Sequence, residues 1–523
     1  MMPNRSTDIL FQLVRSLEKS EKRHFKLYIK RSSGNSDLKI IRLFDVLDKL
    51  PDYDEALVLK KMSGVTKPQL NNLKQHLYKQ LLAALLLLKT NDTTDLQLSE
   101  LLDYARVLYH KGLKLQSLKQ LEKAKELARE NHKFNYLAQV ISLEKKIETL
   151  HITRSSLQKA GELSTEASEI SWHIDSVVKL SNLALQLYSW YIKNGHARNK
   201  QDGAGIEKFF KAQLPSHPER ITDFYELLYL YQSYCWYAYI RQDYLMYYRY
   251  SSKWIRLYKK EPLMVSVETG HYIKGMHNLL NAHFVLRNFK EFEITLKDFE
   301  AFSQTPVARQ HDNFYTHTFI YINSARLNQH LMQGTFNEGL KLIPAIEQKL
   351  QEYSLFVDNH RILVFNYKIA SLYFGSGNYS KAIDYLQKII HGSDELRIDL
   401  QCYARLLHLL SHYELGNDEI IESFSKSTYR FMSKMKNLTV VEEEIFRFLR
   451  KAFELTAAQL KPELEIFLSN IKHLEKNLFE TRSFAYLDII SWLESKVYNK
   501  PMGEIIYNKY LQSKHKSLPV LQV

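Results

Sequence analysis

Histidine is the side chain this sequence offers most freely for chemistry: twenty are present, and imidazole can ligate a metal or move a proton. The spacing withholds both uses. There is no His-Glu-x-x-His and no Cys-x-x-Cys, and His271, His277 and His283 recur every six residues, which turns them around a helix instead of gathering them on one side. Cys235 and Cys402 lie 167 positions apart inside apolar runs, so they read as small buried hydrophobes in a reducing compartment, not as a disulfide framework. Gly375-Ser376-Gly377 superficially offers a phosphate loop. It follows a helical pattern instead of a strand and lacks the later glycine and lysine, so it reads as a turn. No Gly-x-Ser-x-Gly elbow occurs, and the carboxylates are scattered over helix faces. The expectation is a chain without catalytic residues, metal or cofactor, and therefore not an enzyme.

Charge offers a different chemistry. The formal net charge is +14, of which residues 1–90 carry +8 through 17 Lys+Arg against 9 Asp+Glu. Lys19, Lys22, Arg23, Lys26 and Lys30 fall three or four residues apart and form one positive stripe, with Phe25, Tyr28 and Ile29 facing the other way. Such a stripe suits a phosphate backbone or an acidic partner; it equally suits a solvated helix face. Further on, a short helix over 54–62, a turn at Ser63-Gly64-Val65 and a helix from Lys67 are similar to a helix-turn-helix. Thr66 and Gln69 form a capping box, Pro68 sits in the first turn, and Lys67, Gln69, Asn71, Asn72 and Lys74 open the second helix. Amides there could read adenine and lysines could hold phosphates. Two features oppose this: Lys60 stands where such a motif has a small residue, and Leu81 to Leu88 is apolar all round, as in a helix enclosed by its neighbours.

The elements that position these groups are helices. With 16 Gly and 11 Pro in 523 residues, the turn-formers that strand-rich folds need every 8 to 12 residues or so are missing. In VFNYKIASLYFGSGNYSKAIDYLQKII, Ile369, Ala370 and Tyr373 share one face, as do Ala382, Leu386 and Ile389, with Gly377-Asn378-Tyr379 between them. A glycine at that point can take the left-handed conformation that ends the first helix, and small Ala370 and Ala382 let two backbones approach. Turns of the same kind fall near Gly112, Gln242, Arg287, Gly334, Gly377 and Gly416, with weaker ones near Arg154 and Gly195.

This order of small residue, aromatic, glycine, aromatic, alanine and large apolar residues resembles a tetratricopeptide repeat. The resemblance implies an all-α fold: a right-handed superhelix of antiparallel helical hairpins, each burying its apolar face against the next. From Gln242 onward the turns are 45, 47, 43 and 39 residues apart, longer than the standard repeat of about 34, a departure that implies longer helices or connections. Through FQLVRSLEKSEKRHFKLY, YDE and LKQHLY, the whole chain also looks like a group of long bacterial helical-repeat proteins with no assigned activity. The domains expected are a basic helical domain over 1–92, helical repeats over 93–438, and capping helices over 439–523 that shield the last repeat. Residues 194–220 read as a hinge or an enlarged loop.

In tetratricopeptide stacks the first helix of each hairpin lines a concave wall. Carried onto this chain, the resemblance places there Tyr229, Gln232, Trp236 and Tyr239; Lys274, His277, Asn278 and Asn281; Tyr321, Ser324 and Asn328; and Tyr367 and Ser371. Aromatic and amide groups in alternation can grip an extended peptide; the same aromatics could instead fill the core of oversized repeats. The carboxylate-clamp set of Lys, Asn and Arg is missing. The expected function is a non-enzymatic scaffold or adaptor for a peptide or protein, without a membrane role, in the cytoplasm. The alternative is a nucleic-acid-binding regulator with the helical repeats as its sensor.

Overall fold

The computed structural model describes residues 8–31, 35–89, 93–151, 158–309, 312–353, 357–392, 397–435, 438–452, 454–476 and 481–513. Among them no strand is present, and no helix is long and apolar enough to cross a membrane. The chain divides into two compact units, residues 1–167 and 168–523.

In the first unit, α1 (Ile9–Ser16), α2 (Lys19–Arg31), α3 (Asn35–Lys49), α4 (Glu55–Lys61) and α5 (Lys67–Lys89) enclose one core around Val14, Phe25, Ile40, Phe44, Leu47 and Leu77. Gly34-Asn35-Ser36, whose residue types predict a loop, is corrected here: Asn35 already begins α3, while Gly34 lies outside the described residues. The reading of Leu81 to Leu88 as enclosed is corrected too. Leu81 and Ala84 are buried, but Leu82, Leu86 and Leu87 are 45–65% exposed, because α5 packs along one side only. Next, α6 (Thr94–His110), α7 (Lys114–Glu130) and α8 (Phe134–His151) pack in sequence, α6 on α7 and α7 on α8. The Lys125 ammonium, 6% exposed, sits between the carboxylates of Glu144 at 3.0 Å and Glu166 at 2.8 Å. Two partners and their hydrogen bonds are what such a desolvated charge requires.

The long α9 (Lys159–Asn194) leads to α10 (Lys200–Gln213), α11 (Phe224–Ile240), α12 (Tyr244–Lys260), the single turn α13 (Met264–Val267), α14 (Thr269–Val285) and α15 (Phe289–Ser303). The stretch 194–220 is thus neither a bare loop nor a plain hinge. Its Gly203 and Gly205 lie inside α10, which Phe210 anchors by stacking on Tyr237 at 4.1 Å. There follow α16 (Pro306–Arg309), α17 (Asp312–Gln333), α18 (Phe336–Leu340), α19 (Ile343–Glu352), α20 (Asn359–Gly375), α21 (Tyr379–Ile390), α22 (Ile398–Glu414) and α23 (Asp418–Lys434).

Hairpin packing follows from the turns. All six residues marked as clear turns have positive φ, from +54° to +84°, and Gly195 has +74°; His132, at +56°, adds a turn between α7 and α8 that the periodicity did not mark, and Arg154 lies outside the described residues. At Gly377 the Asn378 N–H donates to the Tyr373 carbonyl at 2.9 Å, which closes the end of α20 and sends α21 back along it. The pairs α11–α12, α14–α15, α20–α21 and α22–α23 pack as hairpins, and α14, α17, α20 and α22 then pack successively on one another.

The C-terminal helices are α24 (Val440–Ala452), α25 (Ala457–Lys472), α26 (Thr481–Tyr486), α27 (Ile489–Val497) and α28 (Met502–Ser513). They do more than shield the last hairpin. The chain runs back so that α26 touches α22 and α28 packs on α17, while Tyr510 of α28 meets Phe289 of α15 edge-on at 4.9 Å.

Candidate functional site

Because α14, α17 and α20 lie side by side, the stripes that they do not spend on their hairpin partners face one space. On α14 that stripe is Lys274, His277, Asn278 and Asn281; on α17 it is Tyr321, Ser324 and Asn328; on α20 it is Arg361, Val364, Lys368 and Ser371. With Tyr188 and Tyr191 of α9 and Trp236 and Tyr239 of α11, these residues line a cavity of about 290 Å³. The returning C-terminal segment also lines it, through Phe484, Tyr486, Asp488, Met502 and Ile506.

All the residues assigned to the concave wall line this cavity except two. Tyr229 lies against His271, edge-on at 5.7 Å, and Gln232 is buried outside it. Some lining groups are also spent on structure: Tyr247 Oη donates to Asn278 Oδ1 at 2.9 Å, and Tyr367 Oη donates to the Tyr486 carbonyl at 3.0 Å. Tyr188, Tyr191, His360, Arg361, Lys368, Arg397 and Tyr486 were not read as site residues. For two of them a signal existed: 361, 364, 368 and 371 step by three and four residues, so Arg361 and Lys368 extend the stripe already marked by Ser371.

Five cationic side chains line the cavity, Lys274, Arg287, Arg361, Lys368 and Arg397, with Asp488 as the lining carboxylate. Three of the cations have carboxylate partners: Arg287 pairs with Asp488 at 3.4 Å, Arg361 with Asp358, and Arg397 with Asp399. Lys274 and Lys368 pair with no carboxylate among the described residues. The Lys274 ammonium lies over the rings of Tyr188 at 4.5 Å and Trp236 at 5.4 Å, an attraction worth about 0.5–2 kcal/mol. Lys368 donates to the Ser324 carbonyl at 3.3 Å and to its hydroxyl. Burial pushes Lys274 down to about 8, with Arg361 adding to the effect, and Lys368 down to about 7. His277, stacked on Tyr321 at 4.1 Å, is pushed to about 3 by burial and then by Lys368, Arg361, Lys274 and His360, so its imidazole is neutral near pH 7. The cavity is therefore a partly dry chamber with excess positive charge and a neutral histidine among the cations.

The histidines spaced by six go to different places. His271 meets Glu268 at 3.1 Å, His277 enters the cavity, and His283 is buried beside Asn288 at 3.3 Å.

In the first unit the positive stripe is divided. Lys22 pairs with Asp48 at 2.6 Å and Lys26 with Asp45 at 2.7 Å, so both turn toward α3, whereas Lys19, Arg23 and Lys30 are exposed. Lys67 pairs with Glu55 at 2.9 Å, and Lys74 with Asp8 and the Tyr53 hydroxyl. Gln69 Oε1 accepts the Thr66 N–H at 3.0 Å, which occupies it as a cap, and Asn71 is exposed.

No protein-family model matches the chain, and no curated protein matches it.

Proposed function

We propose that this protein is a non-enzymatic scaffold of tetratricopeptide-like architecture, a right-handed superhelix working in the cytoplasm, that takes a segment of a peptide or protein partner into its inner cavity. The observation that carries the reading is the convergence on one space of the spare stripes of α14, α17 and α20, where amides, hydroxyls and ring faces are presented together. Such a surface suits an extended chain, whose backbone needs hydrogen-bond partners and whose side chains need walls. The size sets the scale. A volume of about 290 Å³ is at the lower end of ligand pockets, usually about 300–1,000 Å³, so a terminus or a few side chains fit and a folded domain does not. Nucleic-acid binding by the first unit is the weaker proposal, since Lys22, Lys26, Lys67 and Lys74 already have carboxylate partners.

The test is to pan a random peptide library on the full chain and rescreen the selected peptides against a Trp236→Ala, Asn281→Ala double variant. Peptides that bind the native chain and lose on the order of tenfold or more in affinity on the variant support the reading, since truncating an aromatic anchor commonly costs 2 kcal/mol or more. Failure to select any peptide, or selection of peptides that bind both proteins equally, removes the cavity as their site.

A further inference from the structure

We infer that the anchor this cavity is built to hold is a phosphate group, seated between the Lys274 and Lys368 ammoniums and the Arg361 guanidinium. The inference rests on reading the cavity as a binding site and adds the chemistry of what enters it.

The charges supply the argument. A cation withdrawn from bulk water is costly unless an anion meets it, and an apolar side chain of similar length would serve packing better. Two other buried cations keep to this rule, Lys125 with two glutamates and Arg397 with Asp399, whereas Arg405, outside the cavity lining, is held by the Gln401 and Ile390 carbonyls and the Phe431 ring. Lys274 and Lys368 depart from it. Ring faces hold the one and the Ser324 oxygens hold the other, and all of these partners are neutral. Arg361 shares its guanidinium between Asp358 and the Tyr321 hydroxyl, at 3.4 Å from the latter. Two lysines that line one cavity with no carboxylate partner among the described residues call, when protonated, for two negative charges in it, and a bound anion would in turn hold them protonated. A phosphate monoester carries about that charge at neutral pH and three acceptor oxygens, whereas a single carboxylate would satisfy one ammonium. The volume of about 290 Å³ and the side chains that border it leave no room for a duplex backbone in this space. They admit a phosphorylated side chain or a small phosphate ester, which present the same group.

The test uses the full chain with sodium pyrophosphate, inorganic phosphate and succinate, each at matched ionic strength, read by calorimetry and thermal melting. Saturable binding of pyrophosphate and phosphate is expected, weakened on the order of tenfold by Lys274→Met or by Lys368→Met and untouched by Lys341→Met, a surface control. A second readout separates binding from structure: without anion, the Lys274→Met and Lys368→Met variants should melt no lower than the native chain, because each removes an unneutralised charge. Lower melting of both would assign these lysines to the scaffold and overturn the inference. So would the absence of saturable phosphate binding, binding unchanged when Lys274→Met and Lys368→Met are combined, or succinate binding as well as phosphate. The source of the group is settled by resynthesising selected peptides with phosphoserine. Tighter binding points to a phosphorylated segment. If phosphate binds and no peptide does, the inference stands with a small phosphate ester as ligand and the peptide reading fails; if peptides bind and phosphate does not, the reverse holds.

Discussion

Arg397 and Asp399, two residues apart at the start of α22, meet through two N–H groups at 2.9 Å each while only 6% and 2% of their side chains remain exposed. The Tyr486 hydroxyl completes the arrangement: Arg397 Nη2 donates to it at 2.8 Å, and it donates to Asp399. Arg397 takes φ +53° to reach this position, and its guanidinium lies 5.3 Å from the Tyr191 ring centre. The pair therefore ties together the end of α9, the start of α22 and the returning α26, three pieces of the cavity wall.

Asp399→Asn should destabilise the second unit by about 3–5 kcal/mol, because it leaves a buried guanidinium without its anion, and replacing both residues by Leu and Met should cost less than that single change. Urea unfolding measures both. Burial alone would raise the Asp399 pKa, but the Arg397 charge, the Arg397 hydrogen bonds and the Tyr486 hydroxyl outweigh it and hold the group well below the usual carboxylate range. With the folded value depressed, this stabilisation is present above the unfolded value of about 3.9 and is lost as pH falls below it toward the folded value. The acid limb of the native stability curve should accordingly be steeper below about pH 4 than that of Asp399→Asn.

Gly334 and Gly377 both have left-handed φ, +72° and +84°, yet a methyl group would fare differently at each. At Gly377 it would meet nothing within 4 Å, and alanine should cost only the backbone penalty of about 1 kcal/mol. At Gly334 it would stand 2.4 Å from the Gly503 carbonyl oxygen and 3.0 Å from Ile506, so α28 must shift. Gly334→Ala should cost a further 1–3 kcal/mol or so and speed amide exchange in 502–513, whereas Gly377→Ala should leave that exchange unchanged. Equal exchange in both variants would contradict the contact between α28 and the α17–α18 turn.

For the first unit, the ion pairs limit what duplex DNA can meet. If Lys19, Arg23 and Lys30 are the cations left to contact phosphates, the plot of log affinity against log salt should be no steeper than about −3. A slope near −6, as for all seven cations of the two basic clusters, would mean that the pairs to Asp45, Asp48, Glu55 and Asp8 open on binding.

Much of the local architecture is legible in the sequence. Left-handed turns at Gly112, Gln242, Arg287, Gly334, Gly377 and Gly416 follow from where apolar periodicity stops and restarts, a property of neighbouring residues. The wall positions on α14 and α17 are what the tetratricopeptide resemblance implies when laid on that register, and they line the cavity. Tyr229 and Gln232 lie outside the cavity lining because α11 turns that part of its stripe toward neighbouring helices. Leu82, Leu86 and Leu87 misled because hydrophobicity states a preference for burial without naming a neighbour to provide it.

What the sequence by itself determined, then, is the set of rods and turns, because helix periodicity and capping are decided within a few residues. Only the tertiary structure decided which charges are spent and which are spare. Lys22 finds Asp48 across 26 positions, while Lys368 finds no acid among the described residues, and α28 returns from far along the chain to line the cavity that Lys368 borders. Coulomb and desolvation energies depend on distance through space, and distance along the chain does not report it.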